Sequence, residues 1–596
     1  MILNYLAKSK RVLECINDNV KRISKSNQNF NMYTIASDYQ KNNRMIFVVL
    51  PTLFDAQTYY DGLLNLVCED DVLFYPVDEM VAASLLIASN EFKFERISTI
   101  ISMLEDKPRI VVTNVNGILR GILPFKKWRE NIFKLEVGKN YDLHEIKRKL
   151  VEFGYKNVSV VSKSGEFSVR GSIIDYFPIN SLDPVRLDFF DDELDTIKTF
   201  DVNTQLSKLR IKEAKIFPIV ELFYDDEVKN KIVDNLNGLK ATASELEYNL
   251  LCKDILRIDE RNELDVVYNY ANLFSELESI IDYPNDNKIY LVNEDKIEGV
   301  TLEIEKETNQ YYDDLASVVL RQFSCFLDKD KVLKNKNILK VDTLVDHQES
   351  FMIDVEEVPS FYGNFDEIIK ACTKRLNTHD VILVFNNPER LKRLKDAFLE
   401  NMIKYKTIQN LDEVDNSCIN LLLGSFALTL SIPKEGIYIL TESTMFINGI
   451  ERRKIRYKST FSEGTKIANF NDLNPGDYIV HMNYGIGLYE GVETKELSGR
   501  KRDYLSILYA DNDRLYIPVE QLKSIKKYCG SDAKAPSLTK IGSNSWNKTK
   551  QKVKEKVQEL GEKLIKLYAE REASTGFACE PDTLEQMEFE QEFDYE

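Results

Sequence analysis

Between Arg44 and Gly121 the chain alternates short apolar runs with longer stretches in which apolar residues recur at helical spacing. The runs at 45–50, 72–75 and 109–113 read as strands, and the stretches near 53–67 and 97–103 read as helices. That alternation predicts an α/β unit. Residues 158–219 change period: short alternating segments are split by turn signals such as Ser164-Gly165 and Ile179-Asn180-Ser181, which predicts a small β-rich insert. The α/β rhythm returns near 228, with a helix-rich stretch and a strand at 288–292. It recurs over 362–446, where strands at 380–385, 418–423 and 436–440 mix with helices, and a small, separate α/β domain is expected there.

After Asn474-Pro475-Gly476 the pattern becomes four short strands, 477–481, 486–497, 503–509 and 515–518, with turns at Leu497-Ser498-Gly499 and Ala510-Asp511-Asn512-Asp513. Gly485 and Gly487 bracket Ile486, where a strand is expected to bend to close a very small barrel. From Trp546 onward Val553, Val557, Leu560, Leu564 and Leu567 fall on one face of a long helix. The expected fold class is multidomain α/β. Residues 1–120 and 221–350 form one α/β domain interrupted by a β-rich insert at 121–220, followed by the small α/β domain at 362–446. A barrel at 470–540 and a helix with an acidic linker at 541–596 complete the organisation.

Composition agrees with a packed, multidomain chain: the 596 residues are 43% hydrophobic and 30% charged. A net charge of −18 excludes a nonspecific polyanion binder, so contact with nucleic acid has to be local. The longest apolar run has ten residues, 45–54, too short to cross a bilayer, and the basic residues near the N-terminus follow their apolar patch where a signal peptide has them first. A cytoplasmic protein without membrane contact is expected. The eight cysteines lie at least 46 residues apart and the four histidines at least 32 apart, which leaves no Cys-x-x-Cys pair and no metal-binding histidine helix.

A phosphate-binding loop needs glycines and a Lys-Ser/Thr pair, and the stretch expected in its place, Thr34-Ile35-Ala36-Ser37-Asp38-Tyr39, has neither. No catalytic residue, cofactor or metal site is therefore assigned. The chain is expected to bind partners.

One segment carries a sharper signal. Taken as a single strand, 167–178 puts Phe167, Val169, Gly171 and Ile173 on one face and Ser168, Arg170 and Ser172 on the other. In the next strand Arg186, Asp188 and Phe190 oppose Val185, Leu187 and Phe189. Two readings stand: a solvated face with Arg186 and Asp188 paired and Phe190 under a loop, or a binding patch, since arginine beside an aromatic is the usual make-up of an interface hot spot.

The residues Glu166-Phe167-Ser168-Val169-Arg170-Gly171-Ser172-Ile173-Ile174-Asp175-Tyr176-Phe177-Pro178, with Pro184-Val185-Arg186-Leu187-Asp188-Phe189-Phe190-Asp191-Asp192-Glu193 and Phe200-Asp201, resemble a segment shared by the excision-repair protein UvrB and the bacterial transcription-repair coupling factors. The resemblance implies a docking surface for the repair protein UvrA, with Arg170, Arg186 and Phe190 as its contacts. UvrB itself would carry an Asp-Glu pair for magnesium, and Ile289-Tyr290-Leu291-Val292-Asn293-Glu294 ends in Asn-Glu. The resemblance is thus to the coupling factors, whose UvrB-like half has lost ATP hydrolysis.

The run Asn474-Pro475-Gly476-Asp477-Tyr478-Ile479-Val480-His481-Met482-Asn483-Tyr484-Gly485-Ile486-Gly487-Leu488-Tyr489, with Asp503-Tyr504-Leu505 and Leu515-Tyr516-Ile517-Pro518-Val519, is similar to the RNA polymerase interaction domain of that family, a Tudor/SH3-like barrel shared with the CarD regulators. It implies docking on the polymerase β subunit through the strand at 488–497, with Leu488, Tyr489, Lys495, Glu496 and Leu497 as contacts. The family has an apolar residue at the position of Lys495, so Leu497 is expected to supply the apolar contact.

Residues 481–560 hold 15 Lys and Arg against 10 Asp and Glu. Within them Lys548, Lys550, Lys552, Lys554 and Lys556 read either as solvated helix flanks or as a surface facing upstream DNA. In the family this is a relay helix leading to a DNA translocase motor that uses ATP and magnesium to push a stalled polymerase forward. The complete protein is expected to be a monomer. The alternatives are a UvrB-like excision-repair helicase and a stand-alone CarD-like regulator of polymerase.

Overall fold

A computed structural model of the chain describes residues 2–6, 9–77, 90–202, 204–261, 264–274, 276–283, 287–314, 317–323, 326–343, 350–424, 428–446, 476–481, 485–497, 500–510, 513–518, 525–527 and 538–539. The chain divides into two units, Met1–Tyr457 and Lys458–Glu596. The helix expected from Trp546, with its lysines at 548–556, lies outside the described residues.

The first unit is built on a seven-stranded sheet in the order Phe351–Met352, Arg22–Ser24, Ile338–Val341, Asn287–Val292, Met45–Leu50, Ile110–Asn114, Val72–Tyr75. All its neighbours are parallel. Every residue of Met45–Leu50 is buried. Phe47 and Val49 enter one apolar core while Ile46, Val48 and Leu50 enter a second on the opposite face. A sheet covered by helices on both faces has no solvated side, which is why this strand reads as an unbroken apolar run.

The insert is a six-stranded sheet, in the order Ser207–Ile211, Glu193–Phe200, Val185–Phe190, Ile173–Tyr176, Glu166–Arg170, Lys156–Asn157, antiparallel except for its last pair. One face rests on the helix Leu143–Glu152 through Ile146 and Leu150. The other face meets water, so burial alternates along Val185–Phe190.

The single strand expected over 167–178 is instead a hairpin. Arg170 pairs with Ile173 across the two-residue turn Gly171-Ser172. Gly171 has φ +60°, and a Cβ there would touch nothing within 4 Å, so glycine serves the turn's backbone conformation and not its packing.

A two-stranded ribbon, Phe133–Glu136 against Glu213–Ile216, closes the neck of the insert. Just beyond it Glu221, 1% exposed, accepts hydrogen bonds from Arg96 Nε at 2.8 Å, Arg120 Nη2 at 3.0 Å and the Tyr75 hydroxyl at 2.9 Å. The Arg120 guanidinium lies 3.7 Å from the centre of the Tyr268 ring.

The strands Tyr405–Ile408, Ile419–Leu423, Asp380–Phe385, Ile437–Thr441 and Leu430–Ile432 form a five-stranded sheet in that order, parallel except for its last pair. Its own helices Phe365–Thr373 and Pro388–Glu400 cover one face. The other face supplies Ile382, Val384, Ile437 and Ile439 to the core that also holds Leu6, Phe30 and Ile35. The Tyr33 hydroxyl donates to Leu428 O at 2.7 Å and the Asn29 side-chain amide to Thr429 O at 2.8 Å. This sheet has separate connectivity but a shared core, because two helices on one side leave its second face to be buried by the N-terminal segment.

In the second unit Arg514–Pro518, Arg500–Leu508, Gly485–Leu497, Tyr478–His481 and Ile525–Lys527 form a five-stranded antiparallel sheet in that order. A register irregularity falls between Tyr489 and Gly491, where Gly491 has φ +140°, and Gly485, next to Ile486, has φ +83°. Gly487 answers to packing: a Cβ there would lie 2.5 Å from Ile507 Cγ2. Among the described residues no helix is long and apolar enough to cross a membrane.

Candidate functional site

The outer face of the insert gathers the residues that the sequence singled out. Phe190 ends its strand beside the turn to Glu193 and is 79% exposed. It does not lie under a loop. Arg170 is half exposed beside the Gly171-Ser172 turn, while the Arg186 side chain is only 19% exposed. Both arginines converge on Asp175, a fully buried residue of the strand between them. Arg170 Nη2 donates to Oδ2 at 2.7 Å, and Arg186 donates through Nε to Oδ1 at 2.7 Å and through Nη2 to Oδ2 at 2.9 Å.

The second contact is a bidentate fork, the strong form of an arginine–carboxylate pair. Hydrogen bonding to Asp175 holds the Arg186 guanidinium above its usual pKa, against its partial burial. Arg186 also lies 4.5 Å from the centre of the Phe200 ring and donates through Nη1 to Gln205 O at 3.4 Å. The Arg186–Asp188 pair of the solvated-face reading does not form, and Asp188 faces Lys198 at 3.8 Å.

Asp175 escaped the reading of 167–178 as one strand. Across the turn, Ser168 faces Asp175 and Asp175 faces Arg186, so the carboxylate belongs to the same face as the arginine it holds. The turn dipeptide Gly171-Ser172 was the signal that could have revealed it.

At the carboxyl end of Asn287–Val292, Asn293 and Glu294 stand where a magnesium pair was considered. Asn293 has φ +58°, and its Oδ1 accepts from Thr343 N at 3.2 Å and from Thr343 Oγ1 at 2.9 Å. Glu294 is paired with Lys340 at 2.6 Å and with Arg22. Burial works to raise its pKa, but these two cations hold it below the usual carboxylate range. Among the described residues no group of three or more His, Cys, Asp or Glu side chains could hold a metal ion.

The stretch Thr34–Tyr39, expected in the position of a phosphate loop, sits inside the helix Gln28–Asn42 instead, and every residue from Phe30 to Asp38 is buried. The connector from the strand Arg22–Ser24 to this helix is Lys25-Ser26-Asn27, closed by Phe30 N donating to Asn27 Oδ1 at 2.9 Å.

On the second unit Leu488 is half-buried, and Tyr489 is 3% exposed. The Tyr489 amide donates to Asp477 O at 2.9 Å and its carbonyl accepts from Gly476 N at 2.7 Å, so neither its ring nor its backbone is open to a partner. Lys495, Glu496 and Leu497 pair in register with Arg502, Lys501 and Arg500. The neighbouring strand Tyr478–His481 reaches only as far as Leu488. Over 491–497 no strand among the described residues occupies that second edge. The side chains of Lys495, Glu496 and Leu497, and the lysines at 548–556, lie outside what is described.

Two family models match the chain, the UvrB interaction domain over residues 133–222 and the CarD-like/TRCF RID domain over residues 473–529. The transcription-repair-coupling factor of Bacillus subtilis (strain 168) is 30% identical over 580 residues, covering 93% of this chain and 49% of that protein. The proteins of the same name from Staphylococcus haemolyticus (strain JCSC1435) and Staphylococcus aureus (strain NCTC 8325 / PS 47) are 30% and 29% identical, covering 94% of this chain and 50% of theirs. The chain spans about half the length of the curated relatives it matches. It is a homologue of the transcription-repair-coupling factors over that half, carrying both a UvrB interaction domain and a CarD-like/TRCF RID domain.

Proposed function

We propose that this chain is the docking part of a transcription-repair coupling factor, which holds RNA polymerase through its second unit and recruits UvrA through its insert. The observation that carries the reading is Phe190, a large aromatic 79% exposed on a face whose two arginines are already oriented by Asp175. An exposed aromatic beside fixed guanidinium groups is the usual anchor of a protein interface. On the second unit the five-stranded sheet is read as a Tudor/SH3-like barrel, and the edge over 491–497, unpaired among the described residues, supports strand addition by the polymerase β subunit. Here the backbone supplies affinity and side chains near Lys495 and Leu497 supply selectivity.

The half of the relatives that this chain does not span is assigned the motor, a double-stranded DNA translocase using ATP and magnesium, with the helix from Trp546 as relay and its lysines toward upstream DNA. This half is proposed to act as a cytoplasmic monomer and to turn over no ATP. The neutralisation of Glu294 by Lys340 and Arg22 supports that over a UvrB-like helicase.

Titrating the chain into UvrA tests the insert: Phe190→Ala weakens binding by about 1–4 kcal/mol with an unchanged melting temperature. Equal affinity for wild type and variant overturns the docking assignment. Binding to polymerase without any binding to UvrA would favour a stand-alone CarD-like regulator.

A further inference from the structure

We propose that the docking face of the insert extends two strands beyond Arg186, and that Arg210 on the edge strand is a cation reached by a carboxylate of the partner protein. This rests on reading the insert as the surface that takes UvrA. Residues directly opposed in an antiparallel sheet share a face. The register opposes Asp175 to Arg186, Arg186 to Lys198, and Lys198 to Arg210, so these four form one row across the sheet. Leu187 and Ile197 point the other way, into the core.

Along this row the positive charges are used unequally. Arg186 is consumed internally by Asp175 and Gln205. Lys198 is 21% exposed and faces Asp188. The next lysine on the edge strand, Lys208, is held by Asp183 at 2.9 Å and Asp201 at 3.0 Å. Arg210 is exposed and has no ion pair among the described residues. Arg170 and Arg186 share Asp175, Lys198 faces Asp188 and Lys208 is held by Asp183 and Asp201, which leaves Arg210 as the cation of this row without a carboxylate among the described residues.

Geometry and composition fit a protein partner. Two strand spacings put Arg210 about 10 Å from Arg186, and four residues of strand put Phe190 about 13 Å from it along the other axis. One interface core can cover both. Leu206, 69% exposed, adds apolar surface just before the edge strand that carries Arg210. A nucleic acid draws its affinity from many phosphate contacts at once, and a row whose cation without a carboxylate among the described residues is Arg210 offers too few. A carboxylate set among apolar groups on a protein surface is the matching chemistry.

The test is a titration of the full chain and its Arg210→Glu, Arg210→Ala and Phe190→Ala variants into UvrA at low and at physiological salt. Arg210→Glu is expected to weaken binding at least roughly tenfold at low salt and to flatten the salt dependence, with Arg210→Ala intermediate. Arg210 has no ion pair to lose among the described residues, so circular dichroism and melting temperature should match wild type. If Phe190→Ala loses affinity while Arg210→Glu binds as wild type does, the extension to Arg210 is wrong and the docking reading survives. If neither variant changes affinity, the docking reading itself fails. If Arg210→Glu instead lowers affinity for duplex DNA and leaves UvrA binding intact, the partner is a nucleic acid and the proposal is overturned.

Discussion

On the insert the proposed surface is side chain: Phe190 stands out of the sheet, and Arg170 is held on the same face by a buried carboxylate. On the second unit the proposed surface over 491–497 is backbone, a strand edge that no strand among the described residues pairs beyond Leu488. The two differ in what mutation can remove. A side-chain surface loses its anchor to one alanine, whereas an edge keeps its N–H and C=O groups through any substitution except proline.

The largest effect should come from proline on the edge. In an antiparallel pair alternate residues turn their N–H groups away from the paired strand. Of Glu493→Pro and Thr494→Pro, one therefore deletes an outward donor while sparing the ladder to Arg500–Leu508. That variant, identified by a retained circular dichroism spectrum, is expected to lose binding to polymerase β altogether. Wild-type affinity in it would move the interface off this edge.

Next comes Asp175→Ala. It leaves Arg186, 19% exposed, without its carboxylate, and should cost about 2–4 kcal/mol in urea unfolding while also weakening UvrA binding. Arg186→Ala should likewise lower the melting temperature, because it strands the buried Asp175. Loss of affinity with full stability marks an anchor such as Phe190, and loss of both marks the frame behind it.

Acid should separate the units. Burial pushes His481 in the second unit down to about 4 from 6.5. The unfolded chain takes up this proton first, so stability present above pH 6.5 declines as pH falls toward 4, by up to about 3 kcal/mol. In the first unit burial works to raise Glu247, but the Ser317 hydroxyl and the Ser244, Val318 and Leu320 amides hold it at about 2. Its contribution is present above pH 4.5 and is lost only between 4.5 and 2. Melting followed from pH 7 to pH 4 should therefore show the second unit weakening earlier, and His481→Gln should flatten its profile.

The smallest effect is expected at Lys495→Ala, below about 0.5 kcal/mol in polymerase binding, as for a surface substitution that leaves the backbone unchanged.

The strands buried on both faces were legible almost residue for residue. Met45–Leu50 and Asp380–Phe385 are unbroken apolar runs because nothing else can occupy a sheet covered on both sides. The alternation in Val185–Phe190 correctly put Arg186 and Phe190 on one face. Reading failed where a turn of two residues shifted the alternation: Ile173 shares its face with Arg170, so the parity carried through Gly171 was wrong and Asp175 went unnoticed. It failed again at Thr34–Tyr39, where a helix buried on nearly every side shows no polar face to give its period away. The edge at 491–497, which no strand among the described residues pairs, is invisible to any pattern of side chains, since a row of amides has no residue-type signature.

The lock around Glu221 also gives the insert a mechanical character. Its neck is a ribbon of two strands, and such a ribbon alone would flex like a strap. Just past the neck, two arginines and a tyrosine from the main α/β sheet and its helices grip one buried carboxylate, and shearing that joint means pulling an ion cluster apart in a water-poor interior. A pull applied to the insert is therefore resisted by the seven-stranded sheet as well as by the ribbon, as a bracket welded at its base passes weight to the wall.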